Sequence, residues 1–351
     1  MEFRNLGASG LNVPAIGLGT ANFRAESNPD NGIGEKVAAR LIDMAIDCGA
    51  AFFDTGDIYA SSEMVLGKAL AKRRQHVLIA TKAGLRSGPG ANQAGASRPH
   101  LIAACNESLR RLGTDYIDLF QIHSFDARTP VEETLSTLDS LVAAGKVRYV
   151  GCSNYAGWQL MKSLAASDRH GWARFVSHQI ACSLVVREAE WDLFPLAGDQ
   201  NVAHLAWGPL AGGLLSGRYG RGARPVSAFA RRSSALGSIY EAQLLDIIAC
   251  LGDVAKETRT SPAQVAIAWL MQRPTLATIF VGASSPEQFA ATLAAREMDL
   301  DGDQLLRLDE VSARPAPYPH GLQHSHGGER AMPAAAVGAS VRVDRGFGVT
   351  S

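Results

Sequence analysis

Several signals that would place a chain in a familiar class are missing from this one. No apolar run approaches the roughly 18 residues that a membrane-crossing helix needs. The opening "MEFRNLGASG" lacks the apolar centre of a signal peptide. Lys plus Arg total 34 and Asp plus Glu total 34, so the net charge is zero. No basic excess points to nucleic acid or to an anionic membrane, and neither is expected as a partner. Five cysteines (Cys48, Cys105, Cys152, Cys182 and Cys250) are dispersed without a C-x-x-C pair. That pattern suits reduced thiols in the cytoplasm, the expected location, and offers no zinc site. A G-x-G-x-x-G fingerprint is absent too. "GLGTANF" stands after the first strand instead, which counts against a doubly wound dinucleotide-binding sheet.

What the 351 residues do have is apolar content, 46%, enough for one large domain or two ordinary ones. They also have a rhythm. β-rich runs fall at 15–20, 50–54, 77–82, 117–123, 147–153, 175–180, 202–207 and 278–283. Segments of helical period fall between them, at 35–48, 61–74, 98–112, 131–144, 155–167, 188–198, 241–258 and 286–296. Eight strands, each followed by a helix, predict an α/β fold of the (β/α)8 TIM-barrel kind. The opening residues, with Gly-Ala-Ser-Gly between two short apolar runs, predict an N-terminal β-hairpin under the barrel floor. The barrel is expected over 1–311. Residues 312–351, rich in Pro, Ala, Gly and His, read as an irregular, partly mobile C-terminal loop and tail.

Barrel enzymes carry their sites at the C-terminal ends of the strands. Read in order, those ends are Asp54, with Tyr59 five residues on, then Lys82, His123, Ser153–Asn154, Gln179, Trp207 and the turn Gly282–Ala283–Ser284. One Asp or Lys at a strand end is ordinarily a solvated or capping group. Four titratable types at four equivalent places are a sector of a site. Asp54, Tyr59, Lys82 and His123 include no Ser or Cys nucleophile, and one His with one carboxylate is not a metal set. They can move a proton. A free phenol titrates near 10, too high for efficient exchange at neutral pH. A nearby ammonium is expected to lower it, and Asp54 to hold that ammonium in place. His123 is suited to bond a substrate oxygen. Such a set delivers a proton to a carbonyl oxygen while a cofactor delivers hydride.

Three stretches, "FFDTGDIYASSEMVLGKAL", "LGTDYIDLFQIHSFDARTPVEETLSTLDSLVAAGKVRYVGCSN" and "WGPLAGGLLSGRY", together resemble the aldo-keto reductase superfamily. The likeness runs from about residue 3 to 311 and is nearest the branch that holds bacterial reductases and dehydrogenases and the potassium-channel β-subunits. The resemblance implies a (β/α)8 barrel and NADP(H), more rarely NAD(H). It makes Asp54, Tyr59, Lys82 and His123 the catalytic tetrad. Ser153, Asn154 and Gln179 match positions that bond the nicotinamide carboxamide, and Trp207 the aromatic that stacks on its ring. Gly208, Leu210, Gly212, Leu214 and Arg218 match the segment along the pyrophosphate; Gly282, Ser284 and Gln288 match residues near the adenosine ribose and its 2′-phosphate. Ala291 and Thr292 replace a Glu-Asn pair that the family often sets against adenine, and Cys182 stands where Tyr is common.

Other features have plainer readings. Arg218, Arg221, Arg224, Arg231 and Arg232, in a long loop at 208–240, are either a solvated basic stretch or a phosphate clamp, with the clamp expected for one or two of them. His320, His324 and His326 fit the wall of a substrate pocket better than a metal site. Trp158 and Trp172 read as packing residues, and the loops 87–97 and 124–129 as the pocket mouth. The resulting expectation is an oxidoreductase acting on a small carbonyl or alcohol. A cofactor-binding regulatory subunit with little turnover is the alternative, and a metal-dependent hydrolase is disfavoured because only His123 stands at a strand end.

Overall fold

A computed structural model describes residues 1–26, 32–219, 241–323 and 326. Two units emerge, Met1–Ala313 and Arg314–Ser351, and the first holds every element named below. The first strands, β1 (Phe3–Asn5) and β2 (Asn12–Pro14), pair antiparallel. Eight parallel strands then close a barrel: β3 (Ile16–Gly19), β4 (Phe52–Asp54), β5 (Leu78–Ala83), β6 (Ile117–Ile122), β7 (Val147–Ser153), β8 (Ser177–Ala181), β9 (Ala203–Trp207) and β10 (Leu276–Val281), with β10 closing onto β3. The expected TIM barrel with its hairpin is therefore the fold.

Alternation does most of the positioning, because side chains at i and i+2 of a strand share a face. Phe52 and Asp54 share one in β4; Leu78, Ala80 and Lys82 in β5; Leu119 and Gln121 in β6. The parallel register sets Asp54 beside Ala80 and Lys82 beside Gln121. Phe52, Ala80, Leu119, Leu205, Ala277 and Phe280 form an apolar layer inside the barrel, joined from below by Leu6 and Val13. The titratable side chains follow at the strands' C-terminal ends, above this layer; Ser177, at the start of β8, is a buried hydroxyl on the same face as Gln179. The Phe52 and Phe280 rings meet edge-on at 5.0 Å, a contact worth about 0.5–1.5 kcal/mol beyond burial. Gly17 makes room for it, since a Cβ there would lie 2.7 Å from the Phe280 ring. The hairpin closes the opposite end: Arg4 donates to the Leu276 carbonyl at the start of β10 at 2.7 Å and to the Met271 carbonyl ahead of it at 2.9 Å.

The helices are α1 (Glu35–Asp47), α2 (Ser62–Leu70), α3 (Arg98–Leu112), α4 (Val131–Ala143), α5 (Gly157–His170), α6 (Ala189–Gln200), α7 (Glu241–Glu257), α8 (Pro262–Met271), α9 (Pro286–Leu293) and α10 (Gly302–Ser312). Their apolar stripes, such as Leu101, Cys105 and Leu109 of α3 or Leu160 and Leu164 of α5, bury against the barrel's outer face. Three features differ from the sequence reading. Helices α8 and α10 are additional to it. Helix α2 stops at Leu70, and Arg74–His76 form a separate 3-10 turn. Trp158 is 62% exposed and packs only edge-on against Phe125, at 5.6 Å, while Trp172 is partly buried and stacks on His170 at 4.3 Å. Arg221, Arg224, Arg231, Arg232 and His324 lie outside the described residues. Among the described residues, no helix is long and apolar enough to cross a membrane.

Candidate active site

The chain leaves β4 at Asp54 and continues the ladder along β5. Thr55 N–H donates to the Ala80 carbonyl at 2.8 Å and Asp57 N–H to the Lys82 carbonyl at 3.0 Å. A turn follows, closed by Tyr59 N–H on the Gly56 carbonyl at 3.0 Å. This zipper sets the Tyr59 ring 5.1 Å from the Lys82 ammonium. Lys82 Nζ donates to Asp54 Oδ1 at 2.6 Å and to the Thr55 carbonyl at 2.9 Å. His123, one residue past β6, is tied to β5 by its N–H on the Ala83 carbonyl at 2.8 Å, and its Nε2 lies 3.4 Å from the Tyr59 hydroxyl. The four side chains, picked from the ends of three strands, meet in one cluster.

Burial opposes the Lys82 charge, but the attraction of Asp54 and Tyr59 outweighs it and raises the ammonium above its usual range. It therefore stays protonated. Burial pushes Asp54 up while Lys82 and Gln179 pull it back; with both charges 2.6 Å apart, the pair is ionic. Tyr59 departs from expectation. Lys82 does favour the phenolate, yet burial is the larger effect and the hydroxyl sits above its ordinary range. A protonated, donating phenol is what this leaves at neutral pH. Burial, with Lys82 adding to it, lowers His123 to about 3, so its ring is neutral and its buried Nδ1 has no hydrogen-bond partner.

The residues matched to the nicotinamide join the same network. Gln179 donates to Asp54 Oδ1 at 3.0 Å, and Ser153 Oγ donates to the Gln179 carbonyl at 3.0 Å. Asn154, held at φ +55°, donates to the His123 carbonyl at 3.0 Å and accepts from Trp207 Nε1 at 3.2 Å. Farther along the rim, Gln288 Oε1 accepts the Ser284 N–H at 3.0 Å in the first turn of α9. Leu214 is buried in the core, Leu210 lies partly buried beside it and Arg218 is exposed. Thr292 is buried and bonds the Gln288 carbonyl within α9 at 3.0 Å. A dinucleotide fits this rim. Gly208 and Gly282, at the ends of β9 and β10, each face open space where a Cβ would stand. Gly212 and Gly213, with φ +67° and +97°, let the chain turn tightly after β9, where Gly213 N–H donates to the Leu210 carbonyl at 2.9 Å.

Three buried polar residues escape the reading of strand ends. Gln121 donates to Gln179 Oε1 at 3.4 Å and keeps its own Oε1 unpartnered; its place two residues before His123 puts it on the interior face. Glu63 accepts from Thr81 at 2.6 Å and Arg111 at 2.7 Å. Asp57, in the same turn as Tyr59, has both carboxyl oxygens buried without a partner. Among the described residues, no group of three or more His, Cys, Asp or Glu gathers to hold a metal.

The family model of the aldo/keto reductase family matches residues 15–313. An uncharacterised oxidoreductase of Bacillus subtilis (strain 168), YrpG, is 35% identical over 329 residues, which cover 90% of this chain and 97% of that protein. A probable voltage-gated potassium channel subunit beta of Arabidopsis thaliana is 32% identical over 305 residues, 84% of this chain and 91% of the relative. The L-glyceraldehyde 3-phosphate reductase of Escherichia coli O157:H7 is 31% identical over 325 residues, 88% and 92% of the two chains. The chain belongs to the aldo/keto reductase family. It is an oxidoreductase that works between carbonyls and alcohols with a nicotinamide dinucleotide.

Proposed function

We propose that the protein reduces an aldehyde or ketone, and oxidises the matching alcohol, with Tyr59 giving and taking the proton and NADP(H) preferred over NAD(H). The observation that carries this reading is the joint placement of the Tyr59 hydroxyl: 3.4 Å from a neutral His123 and beside an ammonium locked to Asp54. Ser153, Asn154, Gln179 and Trp207 are the groups that would hold the nicotinamide, Gly208, Leu210, Gly212, Leu214 and Arg218 the pyrophosphate, and Gly282, Ser284 and Gln288 the adenosine end. When bound, that cofactor supplies the hydride in reduction and takes it in oxidation. Lys82 stabilises the phenolate that Tyr59 becomes as it protonates the substrate oxygen. His123, in the tautomer with hydrogen on Nε2, donates to the same oxygen and fixes the carbonyl's direction. Asp54 keeps Lys82 in place and charged. Sugars, polyol-like lactols and xenobiotic secondary alcohols all suit this chemistry. Ser284 and Gln288, at the adenosine end where the two cofactors differ, support the NADP(H) preference.

A panel of carbonyls and alcohols, run in both directions with NADP(H) and NAD(H), tests the reading. Steady turnover with higher kcat/KM for NADPH is expected; equal or better kcat/KM with NADH overturns the preference. The similarity to a channel β-subunit supports a second reading, a cofactor-binding regulatory role. Tight NADPH binding with negligible turnover across the panel would favour it.

A further inference from the structure

One carboxyl next to the site has no task in the chemistry above. Asp57 is 8% exposed, and neither of its oxygens has a hydrogen-bond partner; the Ile58 amide pulls on it without reaching hydrogen-bond geometry. Its backbone is pinned to the Lys82 carbonyl at 3.0 Å, and it lies two residues before Tyr59 in the turn that carries the phenol. The cation that would neutralise it is already engaged. Arg111 of α3 donates through Nε to Glu63 of α2 at 2.7 Å and through Nη1 to Glu107 at 3.4 Å. The charged and titratable groups acting on Asp57 are Glu63, which opposes its ionisation, and Arg111 and Lys82, which favour it; Tyr59 feels Asp57 in turn, after burial, Lys82 and Asp54. A buried carboxylate without hydrogen bonds is costly, so the neutral carboxyl persists far above the usual carboxylate range, to about 7.

We infer that Asp57 is a positioning residue for proton transfer: the presence or absence of charge on its carboxyl adjusts how readily the Tyr59 hydroxyl, buried two residues on in the same turn, releases its proton. This rests on the reading of Tyr59 as the proton donor and deepens it. In reduction the Tyr59 O–H bond breaks, the proton joins the carbonyl oxygen as the hydride reaches the carbonyl carbon, and a phenolate remains. A carboxylate at 57 opposes that phenolate, whereas a neutral carboxyl does not. As pH rises and Asp57 ionises, Tyr59 therefore holds its proton to higher pH. Reduction keeps its donor longer, and oxidation, which needs the phenolate as base, starts later.

The test uses the full chain and Asp57→Asn, with Asp57→Ser as a second neutral replacement and Asp57→Glu to restore the charge. Ultraviolet tyrosinate titration comes first, because it requires no turnover; the step missing from Tyr59→Phe assigns the Tyr59 transition. That step is expected to move to lower pH by roughly half a pH unit or more in both neutral variants and to return toward wild type in Asp57→Glu. The pH profiles of kcat follow, with NADPH and p-nitrobenzaldehyde, and with NADP⁺ and p-nitrobenzyl alcohol. The falling limb of reduction and the rising limb of oxidation should move together to lower pH in the neutral variants. Loss of amplitude with unmoved limbs and an unmoved tyrosinate step would show a purely structural role and overturn the inference. If Tyr59→Phe keeps its turnover, the reading of Tyr59 itself fails, a result distinct from a failure confined to Asp57.

Discussion

The Lys82 ammonium lies 2.6 Å from Asp54 Oδ1 inside the barrel, with 2% of the lysine side chain and 9% of the aspartate exposed. Neither charge is sustainable there alone, because desolvation of a single buried ion exceeds anything its neutral neighbours return. Lys82→Met should therefore cost about 3–5 kcal/mol in urea denaturation, in addition to its effect on turnover. Lys82→Met combined with Asp54→Asn should be more stable than Lys82→Met alone, since the second change removes the stranded carboxyl. A double variant no more stable than the single one would show that Asp54 is held by Gln179 and water rather than by Lys82.

Tyr59→Phe removes one oxygen from the centre of the cluster. Groups acting as general acids contribute about 10²–10⁴-fold, and a loss of this size is expected in kcat. NADPH affinity, measured by fluorescence titration, should stay near wild type, because the residues matched to the cofactor lie on β7, β8, β9 and the rim beyond. If the loss of rate is matched by lost NADPH affinity, Tyr59 belongs to cofactor binding and not to chemistry.

Asp126 joins the two loops proposed to line the pocket mouth. Its carboxylate accepts from Ala96 N–H at 2.8 Å and Thr129 Oγ1 at 2.6 Å, tying the loop after β5 to the loop that follows His123. Burial raises this carboxyl, but the hydrogen bonds from Thr129, Ala96 and Arg128 win and hold it below its ordinary range. Gly95 permits the contact: its φ is +86°, and a Cβ there would lie 2.5 Å from Asp126 Oδ2. Gly95→Ala should cost about 1–3 kcal/mol of stability and loosen the mouth. KM for the carbonyl is then expected to rise while kcat changes less. An unchanged KM would remove this loop from the pocket.

Much of this site is legible in the sequence because strand alternation and the barrel's polarity are local rules. Asp54, Lys82 and His123 each end an apolar run, and the fold gathers such ends on one rim. Helix α8 escapes for a physical reason. Ser261 and Gln264 form its capping box, with Gln264 N–H on Ser261 Oγ at 3.3 Å and Ser261 N–H on Gln264 Oε1 at 2.8 Å. Yet Val265 to Leu270 are all buried, so no polar face supplies a helical period. Long-range pairing is illegible in the same way. Arg187, after β8, reaches Glu190 at 2.5 Å and Ser312 of α10 at 2.6 Å, and nothing near residue 187 foretells position 312. The isolation of Asp57 is also non-local, since it follows from Arg111 being engaged by Glu63 and Glu107. Net Tyr59 acidity is set by how deeply the ring is buried, which a neighbouring lysine in the sequence does not reveal.

Acid should destabilise this protein earlier than its neutral net charge suggests. Burial holds His123 and His178 down to about 3, and burial with His178 beside it holds His204 well below 6.5. Unfolding releases all three to an ordinary value near 6.5. Between about 6.5 and 3 the unfolded chain thus binds protons that the native state refuses. Stability is complete above 6.5 and is lost as pH falls through that window, by about 1.4 kcal/mol per pH unit for each histidine. Asp57 acts with the opposite sign. Its native carboxyl keeps a proton up to about 7, whereas the unfolded one loses it near 3.9, so its contribution falls as pH rises from 4 to 7. Asp54 and Asp118, whose carboxyls burial also raises, act with the same sign as Asp57, so the carboxyls offset part of the histidine slope. Urea unfolding at pH 7.5 and pH 5 should show clear loss at the lower pH. His204→Asn, whose side chain can still reach the Thr275 hydroxyl that His204 Nδ1 meets at 2.8 Å, should reduce the slope by about one proton. A slope unchanged in that variant would mean that His204 is already protonated in the native protein, and that the buried histidine pair His178–His204, with ring centroids 5.7 Å apart, shares its charge instead of excluding it.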